Sequence, residues 1–347
     1  MAPPTNRTMS VATEVTIERS ARAEEQDVKL ILRQEKEEDE SEVKASEPCT
    51  SASPSTFTQP LVLHDSSFCE RLLAFGHDLP KLKSKLPNVD VATHVTVAER
   101  MSFIDKNFKY KTMKLHDLID RCSRKSQPDH FISESELYYL RALSTNDQRR
   151  EVASVARDFP DLWNEVSFLE DVIPKDRIFS SVLRISSPDV QMWTHYDVMD
   201  NILLQVVGSK RVDLFPPSDV PYLYLKGDKS QVLDIDCVDS ERFPLFCQAT
   251  RLSVVLDPGD VLYIPAFWFH NTRALSMCVN VNAFWKELRD ASLYDAKDVY
   301  ANHDLLPAQR AQQGVQKAIQ QLKVLPDAYR EFYTLRLIEQ LQKSLSL

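Results

Sequence analysis

A mainly β core with flanking helices is the fold class this 347-residue sequence predicts, on three observations. Residues 178–286 form a succession of short alternating segments punctuated by turn signals, with almost no helical period. The region before them mixes strand-like and helical stretches, and the region after them returns to a helical period. Four parts are therefore expected: an acidic tail (1–55), a mixed α/β part (56–175), a β core (176–286) and a C-terminal helical region (287–347).

The tail has no aromatic residue before Phe57, an acidic block at 35–42 and a Ser/Pro/Thr run at 51–56. Such a segment cannot bury enough apolar surface to offset its chain entropy, so disorder is expected. In the mixed part, 60–63 and 92–97 read as strands, and 68–75, 108–121 and 148–159 as helical stretches. In the core, 179–185 alternates, and 201–207 followed by 210–215 reads as a hairpin closed at Gly208-Ser209. Segments 251–256 and 260–264 flank the turn Asp257-Pro-Gly-Asp260, and 277–284 is the last strand. Short strands of this kind suit a β-sandwich or barrel. Two helices, 307–325 and 326–345, each open at proline, a favoured first-turn residue. Phe332, Leu335, Ile338, Leu341 and Leu345 make an i, i+3/i+4 stripe that suits either packing on the barrel or a homodimer seam.

Charge and composition exclude several functions. The chain has 42 basic and 51 acidic residues, net −9; the first 50 residues hold 7 and 12, leaving 35 against 39, or −4, for the rest. A globally basic nucleic-acid binder is excluded, but a local patch is not. Lys106, Lys109, Lys111, Lys114, Arg121, Arg124 and Lys125 face only Asp105, Asp117 and Asp120, which suits either a solvated helix face or a phosphate contact. With 5 glycines, Gly-rich phosphate loops are out of reach. No run of about 18 apolar residues exists, so no membrane-spanning helix is expected. The six cysteines show no CxxC pair and no signal peptide precedes them, so reduced thiols in cytoplasm or nucleus are expected.

The chemistry-bearing residues lie in the β core. Thr194-His195-Tyr196-Asp197 sets an imidazole and a carboxylate at i, i+2, on one face of an extended strand. Two histidines and one carboxylate fill three sites of an octahedral Fe(II) and leave three open. The pair alone is weak: 8 histidines, each with a 51-in-347 chance of an acid two residues on, give about one accidental match. His270, in Phe267-Trp-Phe-His-Asn271, offers the second imidazole from a late strand. Lys210 follows His195 by fifteen residues, and a lysine pointing into a barrel is expensive unless it meets an anion.

Together these residues resemble the JmjC branch of the 2-oxoglutarate/Fe(II) oxygenases, from about Phe57 to the C-terminus. The resemblance rests on Trp193-Thr-His-Tyr-Asp197, Asn201, Lys210, the Pro-Gly-Asp-Val-Leu-Tyr-Ile-Pro segment ending at Pro265, and His270. It is similar, more narrowly, to the tRNA wybutosine-synthesising hydroxylases of that branch, through Phe179-Ser-Ser-Val-Leu-Arg-Ile-Ser-Ser187, Tyr222-Leu-Tyr-Leu-Lys-Gly227 and Phe284-Trp-Lys286. The resemblance implies a double-stranded β-helix, the cupin-like jelly roll, with His195, Asp197 and His270 as iron ligands. It gives Lys210, Asn201, Tyr139 and Asn282 to the cosubstrate 2-oxoglutarate, with Asn280 able to stand in for Asn282. Where the family often has threonine, three residues before the first histidine, this chain has Met192.

The implied activity is hydroxylation, with O2, of the hypermodified guanosine beside the anticodon of phenylalanine tRNA, giving hydroxywybutosine, succinate and CO2. The basic cluster and residues 306–347, with six basic and three acidic residues, are candidates to track phosphates. Two rivals remain: a JmjC hydroxylase acting on a peptide side chain, and a non-catalytic barrel used as a binding scaffold.

Overall fold

The computed structural model describes residues 13–14, 59–63, 72, 78–148, 150–166, 178–288 and 290–344. The expected disorder of 1–55 and, apart from Leu72, the expected helix at 68–75 fall outside these residues. Fifteen strands are present among them: β1 (Thr13–Glu14), β2 (Leu61–Leu63), β3 (Asp90–Thr96), β4 (Lys109–Lys114), β5 (Leu137–Arg141), β6 (Ile178–Ser186), β7 (Gln191–His195), β8 (Asp200–Val207), β9 (Lys210–Phe215), β10 (Leu225–Lys226), β11 (Lys229–Ser230), β12 (Leu252–Leu256), β13 (Val261–Ile264), β14 (Phe269–Ala274) and β15 (Cys278–Trp285). The helices are α1 (Leu79–Ser84), α2 (Leu115–Ser123), α3 (Val155–Asp158), α4 (Pro160–Glu165), α5 (Leu306–Leu322) and α6 (Asp327–Ser344).

Two sheets carry the fold. One runs β1-β12-β9-β14-β7-β11-β10 and the other β2-β13-β8-β15-β6-β5-β3-β4. Leu203, Leu262 and Ile264 of the second sheet pack with Val212, Leu214, Val254 and Leu256 of the first, so the two inner faces share one core. The outer face of the second sheet is covered by helices: Leu82, Leu115, Leu118, Leu162 and Trp163 pack on Leu183, Ile185, Leu204, Val281 and Ala283. Strands β8 and β15 are buried at all eight positions because both their faces are covered. Their inner-face residues are not all apolar: Asn201, Asn280 and Asn282 alternate with outer-face aliphatics.

Residues 290–298 and 303–344 form a separate compact unit, in which α5 and α6 bury none of their own side chains. Phe332, Leu335, Ile338 and Leu341 of the expected stripe are exposed, and Leu345 lies outside the described residues.

Three local expectations are corrected. Segments 201–207 and 210–215 are strands but not a hairpin: β8 pairs with β13 and β15, while β9 pairs with β12 and β14 in the other sheet. Gly208-Ser209 is thus a corner between sheets. Gly208 has φ +72°, and a Cβ there would stand 2.0 Å from the Met277 carbonyl oxygen, so only glycine fits. The stretch 108–121 is half strand: β4 pairs along its whole length with β3 before α2 begins at Leu115. Its lysines suit an edge strand, where charge discourages further pairing. In 148–159 the helix starts only at Val155, where the Ser154 side chain accepts from the Arg157 N–H.

Candidate active site

Strands β7 and β14 are antiparallel neighbours, and His195 and His270 are direct partners across them, with ring centroids 4.3 Å apart. A register irregularity follows His270, between it and Thr272. Asp197 lies two residues beyond the end of β7, not on the strand as its spacing suggested. Its loop is pinned where the Phe267 N–H donates to the Asp197 carbonyl at 2.8 Å. The Asp197 Oδ2 is thereby 3.5 Å from His270 Nε2, and one donor atom from each of the three residues lies within 4.8 Å of the others.

The donor chemistry fits a divalent metal. His195 Nδ1 is 3.0 Å from the Trp193 carbonyl and His270 Nδ1 3.1 Å from the Trp268 carbonyl. A carbonyl only accepts, so each Nδ1 carries the proton and each Nε2 presents a lone pair. Burial lowers the pKa of both rings, that of His270 to about 4, helped by the neighbouring His195, so both are neutral at pH 7. Two neutral imidazoles and one carboxylate are the donor set of a facial metal site.

Behind the triad runs a hydrogen-bonded polar chain along the inner faces of β5, β6, β8, β9 and β15. Lys210 Nζ, 4% exposed, donates to Asn280 Oδ1 at 2.5 Å. Asn280 Nδ2 donates to Asn282 Oδ1 at 3.2 Å, and Asn282 Nδ2 to Asn201 Oδ1 at 3.0 Å. Arg184 Nε donates to Asn282 Oδ1 at 2.9 Å, and its Nη1 to the Tyr139 hydroxyl. Burial pushes the Lys210 ammonium down to about 8, because among the described residues no carboxylate lies within ion-pair distance of it. A buried, anion-less lysine is the fit for a carboxylate cosubstrate.

A family model for the cupin-like domain matches residues 14–291. The chain belongs to the cupin-like domain family. Among its relatives, tRNA wybutosine-synthesizing protein 5 of Danio rerio is 47% identical over 253 residues, which is 73% of this chain and 77% of that one. The Homo sapiens protein of the same name is 47% identical over 253 residues, 73% of this chain and 79% of its own. In Neurospora crassa, tRNA wybutosine-synthesizing protein 4 is 33% identical over 292 residues, 82% of this chain but 23% of the longer relative.

The structure brings the seven sequence-predicted residues into two groups, His195, Asp197 and His270 in one cluster and Tyr139, Asn201, Lys210 and Asn282 in one chain of hydrogen bonds, with the Arg184 charge acting on both. Asn201 faces inward as expected, though from β8 after a break, not by continuation of β7. Both Asn280 and Asn282 participate, so neither replaces the other. Met192, at the expected threonine position, is buried against Tyr139 and Met101 and brings no hydroxyl. Sequence reasoning missed Arg184 and Arg141. The signal was present, since Arg184 alternates with Leu183 and Ile185, but that alternation reads equally as a solvent face.

From His195 an aromatic wall leads outward. Trp193 lies 6.2 Å from the His195 ring, Phe103 5.4 Å from Trp193 and Phe108 6.5 Å from Phe103, then Tyr110 5.7 Å from Phe108. Phe103 and Tyr110 are exposed, and Trp193 Nε1 has no hydrogen-bond partner among the described residues. The basic cluster is thinner than its sequence suggested. Arg121 is buried between Asp129, Glu136 and the Tyr138 hydroxyl, and Lys114 pairs with Asp90 at 3.1 Å. Lys106 and Lys109 remain exposed beside the wall. No described helix is long and apolar enough to cross a membrane.

Proposed function

We propose that this protein is a 2-oxoglutarate- and Fe(II)-dependent hydroxylase of the wybutosine-type guanosine beside the anticodon of phenylalanine tRNA. The observation that carries the reading is the neutral His195–Asp197–His270 cluster opening onto a lumen with a buried, anion-less Lys210. The names of the 47%-identical relatives support tRNA and wybutosine synthesis as the setting, and the sequence resemblance supplies the finer choice of base.

When bound, Fe(II) with 2-oxoglutarate and O2 supplies oxidative decarboxylation to succinate and CO2 and the insertion of one oxygen atom into a substrate C–H bond. The chain's own part is positional and electrostatic. His195, Asp197 and His270 hold the metal by three donors, and the Trp193 and Trp268 carbonyls fix the tautomer of each ring. Lys210 neutralises the distal carboxylate of the cosubstrate, with Tyr139, Asn201 and Asn282 donating to its oxygens from the same chain. The wall of Phe103, Phe108, Tyr110 and Trp193 gives an unstacked base a face to lie on. Lys106 and Lys109 then lie where the flanking phosphates run. The hydroxyl goes to the amino-carboxy-propyl arm of the tricyclic base. A tRNA substrate places the reaction in cytoplasm or nucleus, and the exposed stripe on α6 serves as a seam between two copies.

The test is anaerobic loading with Fe(II), then O2, 2-oxoglutarate and wybutosine-bearing tRNA, read by nucleoside mass spectrometry with His195→Ala as control. Gain of one oxygen on the base, lost in the variant, is the expected result. Consumption of 2-oxoglutarate without gain of oxygen would move the substrate to a peptide, and no consumption would leave a binding scaffold.

A further inference from the structure

Arg141 of β5 and Arg184 of β6 are direct cross-strand partners on the inner face. Like charges directly opposite each other on a sheet are destabilising, and a low-dielectric surround enlarges the effect. Among the described residues the only carboxylate that acts on Arg141 is that of Asp197, from beyond ion-pair distance. Arg184 is spent on two neutral groups, Asn282 Oδ1 and the Tyr139 hydroxyl. Arg141 donates to the Tyr300 carbonyl at 2.8 Å and lies over the Tyr300 ring. Among the described residues, neither guanidinium has a carboxylate within ion-pair distance, whereas Arg211 and Arg251 share Asp213. Burial and the Arg184 charge together push Arg141 down to about 10.

Depth separates this pair from the cosubstrate's lysine. Lys210, Asn201, Asn280 and Asn282 are all buried, at the closed end of the polar chain. Arg141 and Arg184 are only partly buried, and they lie close enough to the metal cluster for the Asp197 charge to act on Arg141 and the Arg184 charge to act on His195 and His270. A guanidinium carries five N–H donors in a fixed fork, and the hydrogen bonds each arginine makes leave further N–H groups on both, the donors a carboxylate takes at its two oxygens.

We propose that Arg141 and Arg184 form a second anion subsite, distinct from that of Lys210, which grips the free carboxylate of the substrate's amino-carboxy-propyl arm. The inference rests on the tRNA reading given above and deepens it. The grip anchors the arm by its acid end beside the metal, and it distinguishes a base carrying the arm from one without it. A base whose arm ends in a neutral ester leaves the two cations unpaired and is bound less well.

The test compares phenylalanine tRNA bearing the free-acid arm with the same tRNA whose arm carboxyl is a methyl ester, by filter binding to the full chain. Wild type prefers the acid about tenfold or more, the factor expected of one charge-assisted bidentate contact. Arg141→Gln, which touches no residue of the cosubstrate's hydrogen-bonded chain, abolishes that preference and leaves ester binding and the affinity for 2-oxoglutarate within about twofold of wild type, and Arg184→Gln abolishes the preference as well. Equal binding of acid and ester by wild type would overturn the inference, and it needs no variant. Equal loss of both tRNAs in Arg141→Gln would assign the pair to a phosphate, and loss of 2-oxoglutarate in Arg141→Gln would assign it to the cosubstrate; either overturns the inference. If wild type neither binds nor oxidises either tRNA, the tRNA reading itself falls and takes the inference with it. Oxidation of acid and ester at matched affinity would leave that reading intact and sink only the subsite.

Discussion

Lys210 is the residue whose titration reports on the site. An ammonium near 10.5 in the unfolded chain falls to about 8 in the folded one, first through burial and then through the Arg184 charge. Between those values the unfolded chain holds a proton that the folded chain lacks, so this group's contribution to stability rises as pH goes from about 8 to about 10.5. Below about 8 its contribution is a constant penalty, relieved only by an anion. A carboxylate beside Lys210 restores the ammonium, so binding 2-oxoglutarate at about pH 8.5 takes up a fraction of a proton and binding at about pH 7 takes up almost none. Calorimetric titration of the anaerobic Fe(II) protein in two buffers of different ionisation enthalpy measures this, and Lys210→Met removes it. Uptake that persists in Lys210→Met would assign the proton elsewhere. The same residue was legible in the sequence because a barrel lysine demands an anion. Arg141 and Arg184 were not, because their meaning lies in a cross-strand register that no single strand displays.

At the scale of elements, the strands were legible from alternation and turn chemistry, and the pairing was not. Gly208-Ser209 between two apolar runs has the signature of a hairpin, yet the chain uses it to leave one sheet for the other. What decides is the close approach of the Met277 carbonyl to Gly208, a long-range contact invisible in a local window. Gly208→Ala therefore combines a left-handed φ with a backbone clash, and a loss of roughly 2 kcal/mol or more is expected. Thermal unfolding should show a midpoint lower by several degrees, and an unchanged midpoint would mean the corner relaxes freely. Strand β4 carries a second expectation. Lys109 is exposed at the sheet edge, and Lys111 lies over the Phe131 ring at 5.3 Å. Reversing both to Glu should weaken tRNA binding and lower the slope of log affinity against log salt by about two, one for each phosphate contact removed. Uncoupled 2-oxoglutarate turnover should be unchanged, since neither residue touches the lumen chain. A salt slope equal to that of wild type would remove β4 from the tRNA surface.

The whole molecule poses a question of apolar surface. Leu335 and Leu341 are 59% and 57% exposed, and Phe332 and Ile338 follow at helical spacing between and beside them. Val315 and Ile319 of α5 are exposed as well. A helix of 18 residues is about 27 Å long, and steps of three residues at about 3.6 per turn carry these side chains around it as a winding apolar band. Helices of this length owe most of their stability to the packing of such a face, and neither α5 nor α6 buries a residue. A seam between two copies of the chain, one of the two readings the spacing allowed, is the proposal this exposed surface supports. Placing two carboxylates in it, Leu335→Glu with Ile338→Glu, would force unpaired charges into that seam, which association does not tolerate. Sedimentation equilibrium should give wild type at twice the mass of the chain and the double variant at the mass of one. Because the triad and Lys210 lie in the other compact unit, the monomeric variant should still bind Fe(II) and 2-oxoglutarate. A double variant that remains dimeric would place the seam elsewhere, and a monomeric wild type would leave the stripe to the tRNA or to another protein.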